Sequence, residues 1–313
     1  MTLNPKLKKY LERDWDRLYK LGAWKLRDVY AQMMKEGKVR PTEEVGSIEN
    51  IIVKTTIRDT PIRIYNPKVK SSDGVFIWMH GGGFVLGDIE HGDATCRAVT
   101  NKLGCKVISI DYGLCPPHKF PDPEIECYEV VKWVYRNAEK LNISCNKICV
   151  AGDSVGGSLA AVLSLMARDR EESLIACQVL VYPCLDWNDM GERPSRRDNG
   201  KGYRLTSYGV EWFNHHHLRD RVVDGLNPYV SPLLAINFKN LPPTVIITSE
   251  FDLLRDESID YAKILSENGV EVCLKNYPGI IHGFLAMEQL GITEGLDAIN
   301  LICKKVGEIF SKI

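Results

Sequence analysis

The sequence has almost no excess of charge: 40 lysines and arginines face 41 aspartates and glutamates, a formal net charge of −1 over 313 residues. A chain so balanced offers no general attraction for a polyanion, so nucleic acid is not an expected partner. Long apolar runs are missing too. None approaches the roughly 18 residues that cross a bilayer, the longest candidates being segments such as 179–185, so no membrane partner is expected. The start of the chain lacks the uninterrupted apolar stretch of a signal peptide, because residues 1–21 alternate charged and apolar side chains. The ten cysteines include no C-x-x-C pair. Cys105, Cys149, Cys177 and Cys273 fall inside apolar, strand-like runs, which reads as small buried hydrophobes in a reduced cytoplasmic protein. No internal repeat or low-complexity tract is visible.

What is present is an ordinary globular balance, 44% hydrophobic and 26% charged residues. Leu11, Trp15, Leu18, Leu21 and Trp24 recur at helical spacing and predict an amphipathic helical arm over residues 1–45. Alternating β patterns at 48–57 and 61–65 follow, then short apolar runs at 75–79, 106–110, 147–151, 177–182, 244–248 and 270–276. Helical patterns near 91–103, 122–140, 155–168, 255–268 and 295–312 separate or follow them, the alternation of a doubly wound, mostly parallel α/β sheet in a domain running from 46 to 313. The stretch at about 183–226 breaks the alternation with a polar run, 188–204, and an aromatic helix-like segment, 206–218. It reads as an insertion where open α/β sheets bind ligands, and with the arm, including Trp15, Leu18 and Trp24, it makes a cap. The last strand, at 270–276, is expected at the sheet edge, where it could pair across a homodimer.

The sharpest chemical signal is Gly152-Asp153-Ser154-Val155-Gly156-Gly157, after one apolar run and before a helical one. A serine nucleophile there sits in a tight strand-to-helix turn, and the glycines two residues to either side remove Cβ atoms that would collide. Val155 then offers a backbone N–H to developing negative charge. A second signal, His80-Gly81-Gly82-Gly83-Phe84, follows the run 75–79. Before such a serine it reads as an oxyanion-hole loop with Gly82 and Gly83 as donors, and the absence of a following Lys-Ser/Thr pair argues against a phosphate cradle. An acid and a histidine complete the set in the required order: Asp252, after the run 244–248, and His282, after the last strand. Asp256 and Glu257 are assigned instead to the first turn of the next helix, beside its dipole.

The remaining histidines are weaker candidates. His215, His216 and His217 are adjacent and point in different directions on a helix, so they cannot all hold one metal ion, and no metal site is expected. His91 and His118 read as solvated or loop-structural, and His80 as an anchor of the glycine loop.

Four motifs in this order resemble the hormone-sensitive lipase family of α/β-hydrolases over residues 75–284, as do Asp111-Tyr112-Gly113-Leu114-Cys115-Pro116-Pro117-His118-Lys119-Phe120-Pro121 and Tyr229-Val230-Ser231-Pro232-Leu233. Val155, Gly113, Cys115 and Leu253 depart from that pattern. The resemblance implies an eight-stranded, mostly parallel sheet with a helical cap, and hydrolysis of carboxylic esters without a cofactor. Phe84, Tyr182, Trp187, Phe213 and Ile281 are the expected pocket lining, and a small pocket beside Val155 and Phe84 implies a short-chain, small-molecule ester. A lipase or amidase on the same triad, or a non-catalytic receptor on the same scaffold, is the alternative.

Overall fold

The computed structural model of the chain describes residues 2–36, 43–189 and 192–313. Its apolar, β-branched runs form strands β1 (Ser47–Lys54), β2 (Asp59–Asn66), β3 (Val75–Met79), β4 (Lys106–Ile110), β5 (Ile148–Asp153), β6 (Cys177–Val181), β7 (Thr244–Phe251) and β8 (Val272–Ile281). They make one eight-stranded sheet in the order β1-β2-β4-β3-β5-β6-β7-β8. The first three strands of that order pair antiparallel and all later pairs are parallel.

The central strands β3, β5 and β6 are buried from end to end because helices cover both faces. One face packs on the helices Asp122–Arg136, Val155–Asp169 and Arg255–Glu267. The other packs on Asp93–Leu103 and Glu294–Phe310, and strand alternation sends Val107 to this face and Ile108 to the first. The strand order reverses around β3, since β4 lies on one side of it and β5 on the other. Loops leaving the C-terminal ends of β3 and β5 therefore diverge to opposite faces and open a crevice between them, where open α/β sheets bind their ligands.

The N-terminal arm is helical in pieces: a 3-10 turn, Pro5–Leu7, followed by helices Lys8–Leu11, Trp15–Tyr19 and Ala23–Glu36. Asp14 restarts the chain by accepting the Arg17 N–H at 3.1 Å, and Gly22, with φ of +76°, separates the last two pieces. The parts of the expected arm at Met1 and 37–42, and residues 190–191 of the insertion, lie outside the described residues. The last strand differs from expectation, starting at Val272 and running on to Ile281, because β7 and β8 stay paired past an irregularity between Ser249 and Phe251. The insertion carries helices Pro194–Asp198, Ser207–His217 and Arg221–Gly225. Thr206 caps the longest of them by accepting the Gly209 N–H at 3.0 Å, and the Trp15–Tyr19 helix packs against it.

Candidate active site

Ser154 stands at the turn from β5 into the helix Val155–Asp169, with φ 55° and ψ −122°. A serine holds this strained backbone only where its surroundings leave no alternative. They are set by register: Gly152 pairs with Met79 of β3, and a Cβ on either Gly152 or Gly156 would collide with the Met79 carbonyl. The two glycines let the turn press against β3 and lift the serine above the sheet. As the first helical residue, Val155 has an N–H without an intrahelical acceptor.

The glycine loop after β3 is held by the neighbouring motif. Asp153 accepts the Gly81 N–H at 2.9 Å, and its burial raises the carboxyl above its ordinary range. Tyr112 donates to the His80 carbonyl at 2.7 Å and stacks on the imidazole at 4.4 Å, while burial lowers the basicity of His80. His80 thus lies within the loop's own packing. Gly82 and Gly83 have φ of +120° and +65°, and Gly82 spends its carbonyl on Val85 and Leu86. Among the described residues no acceptor engages the N–H groups of Gly82, Gly83 or Val155. Gly82→Ala would drive a Cβ into the Leu86 carbonyl at a backbone angle that alanine avoids. We expect it to lower kcat for a soluble ester by about 10²–10³-fold, the scale of one lost oxyanion donor, with KM little changed. Wild-type kcat in a folded Gly82→Ala protein would show that the loop takes no part.

Asp252 and His282 arrive from the ends of β7 and β8. His282 Nδ1 lies 2.7 Å from Asp252 Oδ2, and Nε2 lies 3.0 Å from Ser154 Oγ. The other Asp252 oxygen accepts the Leu254 N–H at 2.9 Å, and Asn199 of the insertion donates to the Asp252 carbonyl at 3.2 Å. Asp252 is buried and His282 nearly so. The imidazole is thereby fixed between one carboxylate and one hydroxyl.

Above this group lies a cavity of about 160 Å³, bounded by Gly82, Gly83, Ser154, Val155 and His282 below and by Trp15, Leu18 and Tyr19 of the arm and Val210 and Phe213 of the insertion above. Tyr182 and Trp187 also line it, and the Tyr182 ring lies 4.8 Å from that of His282. Phe84 and Ile281, expected in the wall, are elsewhere. Phe84, at φ 61°, turns into the core and stacks on His217 at 3.8 Å. Ile281 is buried with Tyr277 and Phe284 in the core cluster that includes the Glu294–Phe310 helix. Trp24 is 63% exposed, its ring 4.6 Å from the Arg27 guanidinium, and is no part of the cavity wall.

Sequence reasoning did not single out three polar residues here. Asp153 was visible inside the serine motif but its partner was not. His91, expected as a solvated or loop-structural residue, lines the cavity 3.4 Å from the Tyr30 hydroxyl, and burial pushes its pKa down to about 4. Arg204, at the end of the charged run, faces the same space. The histidine tract divides: His217 is buried against Glu124 at 2.9 Å, His216 is 2.8 Å from the Trp212 carbonyl, and Lys119 Nζ donates to the His215 carbonyl. Glu257 sits in the first turn of Arg255–Glu267, where it is fully buried on Arg196 at 2.9 Å.

A strand-to-helix serine, a glycine loop at the switch point and an acid and histidine at successive strand ends define a class of hydrolytic α/β protein. Comparison agrees with that class. Residues 76–286 match the family described by the alpha/beta hydrolase fold. The chain is 38% identical over 253 residues to the arylesterase of Saccharolobus solfataricus, covering 79% of this chain and 80% of that protein. It is 31% identical over 299 residues to the ethyl acetate hydrolase of Pseudomonas putida, covering 92% and 93%. The solved structure of the hyperthermophilic esterase from the archaeon Pyrobaculum calidifontis superposes with a TM-score of 0.90 at 34% identity over 99% of both chains. The chain belongs to the alpha/beta hydrolase fold family.

Proposed function

We propose that the chain is a serine carboxylesterase that cleaves short-chain carboxylic esters through an acyl-enzyme on Ser154. The observation that carries this reading is the unbroken chain Ser154 Oγ, His282 Nε2, His282 Nδ1, Asp252 Oδ2, with separations of 3.0 and 2.7 Å. Related proteins named for aryl ester and ethyl acetate hydrolysis support it. His282 Nε2 takes the Ser154 proton as Oγ attacks the ester carbonyl, while Asp252 holds the tautomer and stabilises the imidazolium. Backbone N–H groups of Gly82, Gly83 and Val155 receive the oxyanion. His282 then protonates the leaving alcohol and activates the water that releases the acid. Each step uses this chain's own groups, so the reading calls for no cofactor.

Chain length follows from the enclosure. Each buried methylene contributes about 0.8 kcal/mol until a wall is met, after which added carbons clash. With about 160 Å³ walled by Trp15, Leu18, Tyr19, Val210 and Phe213, kcat/KM for p-nitrophenyl esters is expected to peak at short acyl chains, roughly C2–C6, and to fall beyond C8. A maximum at C12 or longer, or a rate jump on emulsified triolein, would favour a lipase instead.

The same proposal treats the N-terminal helices and the insertion as a cap. Tyr19 lies 5.2 Å from Trp212 and 5.5 Å from Phe213, ring to ring, which is the seam between them. Deleting residues 1–40 should lower activity and raise binding of an apolar dye, and unchanged values of both would make the arm an appendage. The burial of most of the cysteines, with Cys145 and Cys273 half-buried, supports a reducing, cytoplasmic setting. Placing β8 last in the sheet supports a homodimer through that edge, which a monomeric mass in sedimentation would contradict.

A further inference from the structure

The cavity contains a cation that the ester chemistry does not use. Arg204, half-buried, lines the same space as Ser154 and His282. Its Nη1 lies 3.4 Å from the Gly283 carbonyl, beside His282, and its Nη2 lies 3.4 Å from the Tyr30 hydroxyl. Both contacts are long. The Trp15 ring centroid is 5.8 Å from the guanidinium carbon. Among the described residues no carboxylate pairs with Arg204, whereas Arg193 and Arg196, earlier in the same run, pair with Asp186, Asp189, Asp260 and Glu257. The carboxylate that shares the cavity, Asp153, is engaged by Gly81.

A guanidinium cannot shed its proton in a protein, and a charge partly withdrawn from water without an opposing charge is costly. It is retained where something else supplies the counter-charge. A planar fork of N–H donors matches a carboxylate in geometry as well as sign. Tyr10 and Tyr30 line the cavity around it, so an anion there would meet aromatic edges and a hydroxyl rather than acidic side chains.

Resting on the carboxylesterase reading, we propose that the preferred substrates are esters that also carry a free carboxylate, bound by Arg204. Two sources share that chemistry. The carboxylate belongs either to the acid portion, as in a hemiester of a dicarboxylic acid, or to the alcohol portion, as in an acylated hydroxy acid.

Matched pairs of equal shape separate these arms: monoethyl glutarate against its terminal amide, and 3-acetoxybenzoate against 3-acetoxybenzamide. In the wild type the anionic member of at least one pair is expected to have the higher kcat/KM by about 10- to 100-fold, mostly through KM, the scale of a charged hydrogen-bonded pair. The pair that shows it identifies the portion bearing the charge. Arg204→Met should bring that ratio to one or below, and Arg204→Lys should keep a preference of the same sign. A wild-type ratio at or below one in both pairs overturns the proposal, whether or not the variants fold, and leaves the esterase reading intact. An equal loss on both members in Arg204→Met also overturns it, making Arg204 a strut between the insertion and the Gly283 loop. Failure of the wild type to hydrolyse any of the four compounds while it still cleaves p-nitrophenyl butyrate overturns this proposal alone, and failure on p-nitrophenyl butyrate as well removes the esterase reading with it.

Discussion

Ser154→Ala is expected to lower kcat for a soluble ester such as p-nitrophenyl butyrate by about 10⁴–10⁶-fold while the thermal midpoint stays close to that of the wild type. The magnitude follows from the site acting as a unit. His282 is held on one side by Asp252 at 2.7 Å and on the other by Ser154 at 3.0 Å, so removing the hydroxyl leaves a base with nothing to activate. For the same reason the triple variant lacking Ser154, Asp252 and His282 should be little worse than Ser154→Ala alone. Stability is spared because the Ser154 hydroxyl's partner is the His282 imidazole rather than the core. The backbone strain at φ 55° is moreover carried by any residue placed there. Retained turnover in Ser154→Ala, or additive losses through the series, would detach the chemistry from this serine.

The largest effect on stability is expected away from the nucleophile, at Arg196. Its guanidinium lies 2.9 Å from Glu257 and donates to the Asp186 carbonyl at 3.0 Å, with both charged side chains buried. Burial pushes Glu257 up to about 7 even with Arg196 drawing it down. Arg196→Ala strands that carboxylate, and breaking a buried pair in this way costs about 3–5 kcal/mol. The sign of the pH dependence is distinctive. With its pKa raised in the folded state, Glu257 is best tolerated when protonated, and folding loses stability as pH rises through the folded pKa. Removing Arg196 raises that pKa further, so the variant's deficit in urea unfolding should be greatest above pH 7 and shrink toward pH 5. A loss below 1 kcal/mol, or one constant with pH, would show that the pair contributes little.

These two residues mark how far the sequence could be read. The serine motif, the glycine loop and the order Ser154, Asp252, His282 are legible because the chemistry demands particular local backbone: glycines where β3 and β5 press together, and polar residues at strand ends. Register then brings the parts to one place. Arg196 was not legible. It belongs to a run of charges that reads as a solvated surface, and its partner Glu257 is 61 residues further on. Arg204 was obscured in the same way. Side-chain direction was the other blind spot, since Phe84 follows a glycine loop whose turn points it into the core and Ile281 is buried among Tyr277 and Phe284. Trp24 satisfied helical spacing, yet the break at Gly22 re-aims the following helix and leaves the ring outside. Gly113, unexplained as a departure from the family pattern, acquires a reason in three dimensions. Its N–H donates to Glu126 at 2.8 Å, and a Cβ there would fall 2.7 Å from the His118 ring.

The central claim is that Ser154 is the one activated nucleophile. Diethyl p-nitrophenyl phosphate, incubated with the full chain, should add a single diethylphosphoryl group at Ser154 by intact mass and peptide mapping. Activity should fall in proportion to labelling, and Ser154→Ala should take up none. Stoichiometric labelling at any other residue, or full labelling of Ser154 with activity retained, would contradict the account.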